Sequence, residues 1–129
     1  MRTLTLLSSA AFAATVLIAP ALLANVNPDI SGNWLRTDGT ARIHIAPCGP
    51  QLCATNTWIK DATHDEQVGD QLIMTLQPQG DSSLTGAAFD VRRKLNYSMN
   101  IVIDQHSMVA RGCVVAGVVC KTMSWTRES

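Results

Sequence analysis

Residues 95–104, Leu-Asn-Tyr-Ser-Met-Asn-Ile-Val-Ile-Asp, decide the fold class. Leu95, Tyr97, Met99, Ile101 and Ile103 alternate with Asn96, Ser98, Asn100 and Asp104. Successive side chains of a strand leave opposite faces, so this segment is a strand with one face buried and the other wet. The same alternation places further strands at about 31–37, 40–46, 53–60, 71–77, 83–90, 107–114 and 118–127. No long stretch of the region from Ile30 onward follows the 3.6-residue period of an amphipathic helix, so the expected fold is all-β.

The breaks between these strands carry turn chemistry: Asp38-Gly39, Gly49-Pro50, Gly69-Asp70, Gly80-Asp81 and Ala116-Gly117. Only the connection from Asp61 to Asp70 is longer. Short connections make neighbours in sequence neighbours in space. Eight such antiparallel strands avoid exposed edges by closing into an up-and-down barrel. A two-sheet sandwich is the alternative, but its crossovers ask for longer connections.

Four cysteines allow three pairings. Cys113 and Cys120 are symmetric about Ala116-Gly117, and Cys48 and Cys53 flank a turn at Gly49-Pro50, so each pair is expected to face across a hairpin and form a disulfide. A four-thiolate metal site is disfavoured, because its usual signature is cysteines paired at two to four residues.

Residues 1–24 carry one charge, Arg2, a long apolar run and a small-residue end. They read as a secretory signal peptide cut after Ala24, followed by a single domain over residues 25–129. Interruption by Ser8, Ser9, Thr15 and Pro20 disfavours an uncleaved membrane anchor. Export fits disulfide formation, since the periplasm and the extracellular medium are oxidising. The 129 residues include 10 Lys+Arg and 10 Asp+Glu. That balance lacks the basic footprint of a nucleic-acid binder.

The segments GNWLRTDGTARIHIAPCGPQLC (32–53), GAAFD with the following LNY (86–97) and ARGCVVAGVVCKTMSWTR (110–127) resemble the bacterial exported family called domain of unknown function 2147. The family is similar to lipocalins, which implies a small β-barrel without implying an activity. The lipocalin likeness further implies that Gly32 bends the first strand, that Trp34 plugs one end of the barrel and that Arg127 covers its indole as a structural lid. Between Asp61 and Gln71 the chain departs from the family pattern, which commonly has an Asn-Pro-Asp stretch and a Gly-Leu near the next strand. Properties of that loop do not carry over.

No nucleophile elbow, zinc-protease helix motif or glycine-rich phosphate loop is present, so the chain is expected not to be an enzyme and to need no cofactor. His44, His64 and His106 lie on separate strands or loops and are expected to be solvated. Asp61, His64, Asp65, Glu66 and Asp70 lack the ordered spacing of a calcium loop, and no metal is assigned to them. Arg92-Arg93-Lys94 reads as a charged turn.

What remains is the barrel interior. Trp34, Trp58, Met74, Tyr97, Met99 and Ile101 are the expected lining, apolar with indole and phenol groups as polar handles. With strands of about eight residues, that interior is expected to be filled or to hold a very small cavity. Two functions follow as expectations: a periplasmic or secreted barrel that binds a small hydrophobic molecule, or a periplasmic protein-interaction module of the envelope-stress or protease-inhibitor type.

Overall fold

The computed structural model describes residues 28–63, 65–114 and 117–129, together with residues 10, 11, 13 and 14. Eight strands run as β1 (Gly32–Arg36), β2 (Ala41–Cys48), β3 (Gln51–Ile59), β4 (Gln71–Pro78), β5 (Ser83–Asp90), β6 (Leu95–Ile103), β7 (Ser107–Val114) and β8 (Val119–Arg127). Each pairs antiparallel with the next, and β8 returns to β1 through Trp34–Arg127, Leu35–Thr126 and Arg36–Trp125. The barrel is closed, so no strand leaves a row of unpaired backbone groups. Among the described residues there is no helix. The signal-peptide reading falls almost wholly outside the described residues, as does Ala116 of the last turn.

Strand parity explains the core. Trp34, Ile43, Ile45, Leu52, Met74, Leu84, Ile101 and Trp125 turn inward and are buried. On β6, Ile101 and Ile103 are buried and Tyr97 and Met99 half-buried. Leu95 departs from the expectation and is exposed, because it stands at the strand's end, beyond the wall of the barrel.

Two further corrections follow from register. Trp58 was expected in the interior, in phase with Leu52, Ala54 and Asn56. Arg42 pairs with Trp58 but Ile43 pairs with Asn56, so Thr57 is an extra residue in β3. This β-bulge inverts the parity beyond it. Ile59 turns in, and Trp58 turns out, with the Arg42 guanidinium 5.0 Å from its ring centroid. The second correction concerns Cys48 and Cys53, expected to stand opposite one another. The Gly49-Pro50 turn pairs Cys48 with Gln51, so Cys53 is Cys48's diagonal neighbour on the same face. The disulfide forms along that diagonal, with Cα atoms 5.7 Å apart. Cys113 and Cys120 do pair directly and form the second disulfide.

Candidate functional site

In an up-and-down barrel alternate connections lie at the same end. One end gathers the turn after β2, the connections β4–β5 and β6–β7, and the segments before β1 and after β8. It is closed. The Trp34 indole N–H donates to the Ile30 carbonyl at 2.9 Å, and both residues are fully buried. Arg127 lies over the Trp34 ring at 4.3 Å and donates to the carbonyls of Ser31 at 2.7 Å and Asp29 at 2.9 Å. Gly32 has φ 127°, and a Cβ there would meet the Ser129 carbonyl oxygen at 2.4 Å. Only glycine lets the backbone at residue 32 pass so close to that of Ser129.

The opposite end gathers the β1–β2, β3–β4, β5–β6 and β7–β8 connections. The long β3–β4 loop is tied across it by two arginine forks. Arg36 on β1 grips Glu66 at 2.5 and 3.0 Å. Arg92 in the β5–β6 turn grips Asp70 at 2.6 and 2.9 Å. Paired guanidinium–carboxylate bonds of this kind fix direction as well as distance. The Arg92 bond is the chief cause that holds the Asp70 carboxyl below its ordinary range, with the Gln67 backbone N–H adding to it. On the β1–β2 turn, Asp38 is held low chiefly by the Thr40 hydroxyl and backbone N–H. Asp90 is buried at the top of β5, accepting from the Arg93 backbone and side chain at 2.9 Å each.

Below this end lies a cavity of about 180 Å³. Its wall includes Ile43, Ile45, Leu72, Met74, Met99, Ile101, Met108, Met123 and Trp125, with Tyr97 among them. Asn56, Gln71, Asp90, Arg36 and Lys121 stand toward the opening. A second cleft beside the β1–β2 turn shares Arg36, Glu66, Lys121 and Met123 with it. The small side chains of Ala54, Ala110 and Gly112 make the room. A Cβ on Gly112 would stand 3.2 Å from the Met99 sulfur and 3.4 Å from the Tyr97 ring.

Of the residues expected to line the interior, Met74, Tyr97, Met99 and Ile101 meet at this cavity. Trp34 is inside the barrel but belongs to the closed end, and Trp58 is on the outer surface. Met108, Met123 and Trp125 were missed, although their alternation along β7 and β8 was there to read. Arg36 and Lys121 had no such signal, because charged strand residues ordinarily face water. Among the described residues no group of three His, Cys, Asp or Glu side chains converges on a metal-binding point. Glu66 and Asp70 of the acidic loop are turned into arginines, and His64 lies outside the described residues.

The model of the family described as an uncharacterized protein conserved in bacteria, domain of unknown function 2147, matches residues 32–127. The chain belongs to this family. The match runs from the β1 glycine to Arg127 and so embraces the whole barrel, including both disulfides. No curated protein and no solved structure matches the chain.

Proposed function

We propose that this member of the family is an exported, non-enzymatic barrel that holds a small hydrophobic molecule in its lumen. The observation that carries the reading is the apolar cavity of about 180 Å³, reached from one end of a barrel whose other end is filled around the buried Trp34. It is comparable with the ~150 Å³ apolar cavities known to stay dry and accept benzene, and smaller than the ~300–1,000 Å³ sites of drug-sized ligands. The ligand is therefore a short chain or a single ring. Met74, Met99, Met108 and Met123 supply flexible, polarizable walls that adjust to such a guest. The two disulfides and the signal-like residues 1–24 support an oxidising compartment outside the cytoplasm.

Native mass spectrometry of protein purified from a bacterial periplasm tests this. An adduct of a small apolar molecule is the expected result, lost when Ala110→Phe fills the lumen. Ligand-free protein that also fails to take up an apolar fluorophore overturns the reading.

The interaction-module reading draws on a different observation. Val68, Val91, Leu95, Val118 and Val119 are exposed, and the connections that carry or adjoin them all lie at the open end. Capture of a periplasmic protein, abolished by Val118→Asp with Val119→Asp, supports that reading; failure to capture one counts against it.

A further inference from the structure

The carboxylates that line the opening and its adjoining cleft are each engaged within the protein. Glu66 is gripped by Arg36, Asp70 by Arg92 and Asp90 by Arg93. Asp38 accepts from the Thr40 hydroxyl at 2.6 Å and from Arg36 at 3.4 Å. Lys121 differs. It shares the inward parity of Met123 and Trp125 on β8, lines both the cavity and the cleft, and makes no ion pair or hydrogen bond among the described residues. The Tyr97 hydroxyl likewise has no partner among them. These two groups belong together. Gly112 is the cross-strand partner of Lys121, and the Tyr97 ring packs against that same Gly112. The wall therefore presents one uncompensated cation and one free hydroxyl where apolar lining gives way to water.

The geometry points to a monoanionic amphiphile as the guest: a straight-chain alkyl carboxylate whose head meets Lys121 and the Tyr97 hydroxyl while its tail lies among Met74, Met99, Ile101 and Met108. This assignment rests on the lumen-binding reading above and names its ligand class. Scaled from the benzene-sized cavity, about 180 Å³ accommodates a chain of about six to eight carbons. A longer tail meets the buried side chains of Ile45, Ile101 and Met108 at the inner end of the cavity. Burying the chain drives the binding, as for any apolar surface removed from water. The head group sets which end stays at the mouth, because a carboxylate cannot be stripped of its hydration in the apolar wall without a partner.

Calorimetric titration of the disulfide-intact protein with octanoate, octan-1-ol and octylammonium tests the assignment. Octanoate should bind about five-fold more tightly than octanol, the scale of a partly solvated ion pair, and octylammonium more weakly than either. Lys121→Gln should remove the preference, bringing octanoate affinity down to that of octanol. Lys121→Glu should turn the preference toward octylammonium. Equal affinity for octanoate and octanol in the unaltered protein, or a preference that survives Lys121→Gln, overturns the head-group assignment and leaves the lumen reading standing. If none of the three ligands binds, the lumen reading falls and this one falls with it.

Discussion

The Arg127 guanidinium lies 4.3 Å above the centroid of the Trp34 ring, and the two residues stand directly opposite one another where β8 closes on β1. The contact joins the first strand to the last at the closed end of the barrel. Arg127 also holds the segment before β1 through the Ser31 and Asp29 carbonyls. Its removal takes away a cation–π contact and two charge-assisted hydrogen bonds together. Arg127→Ala should cost about 2–3 kcal/mol, read as a lower urea midpoint at unchanged slope. Trp34→Ala should cost about 3–5 kcal/mol, since it empties the buried end.

Trp58 should behave as an outer residue in spite of its size. The bulge at Thr57 leaves it 37% exposed, whereas Trp34 and Trp125 are buried. Iodide should quench one part of the tryptophan emission, and Trp58→Phe should abolish that part alone. Trp58→Ala should cost under about 1 kcal/mol, the scale of an exposed cation–π pair. A large loss of stability would place the ring inside.

Acid should weaken ties at both ends of the barrel. Asp70, Asp38 and Asp104 all have folded-state pKa values below the ordinary one, chiefly through Arg92, the Thr40 hydroxyl and the backbone N–H groups of His106 and Ser107 respectively. A depressed carboxyl contributes stability above its unfolded pKa of about 3.9, and the contribution disappears as pH falls through the lower folded value. Denaturant midpoints should therefore be flat with respect to these groups from neutral pH to about pH 5 and fall below about pH 4. Asp70→Asn should make that acid limb shallower. An unchanged limb would remove Asp70 from the account.

Gly112→Ala tests the lumen with little disturbance of the wall. The added methyl would meet the Met99 sulfur, the far end of a flexible side chain, at 3.2 Å. Met99 must move into the cavity, so uptake of an apolar probe should weaken several-fold while the stability changes by under about 1 kcal/mol. Undiminished uptake would place the ligand elsewhere.

Peptide mapping of the unreduced protein should find Cys48 joined to Cys53 and Cys113 to Cys120. Each bridge closes a short loop, so replacing either pair by Ala should cost about 2–2.5 kcal/mol on the chain-entropy scale. The barrel should persist, because each bridge staples one hairpin and neither spans the closure between β1 and β8. Free thiols in the unreduced protein would contradict the pairing.

The alternation in residues 95–104, repeated along the chain and punctuated by Asp38-Gly39, Gly80-Asp81 and their like, was enough to establish eight antiparallel strands, their order and their closure. Strand parity and turn residues are local properties, readable from neighbours in sequence. It was likewise enough to bring Met74, Tyr97, Met99 and Ile101 to one interior. Tertiary structure decided what local pattern could not carry. One extra residue, Thr57, sent Trp58 out of the barrel, since a bulge is a matter of register between two strands and leaves little trace in either. The Arg36–Glu66 fork joins residues 30 apart, and Lys121 became part of the mouth only when closure placed β8 beside β1. Such contacts depend on where the barrel brings distant side chains, and that is fixed by the pairing of strands rather than by the sequence surrounding any one of them.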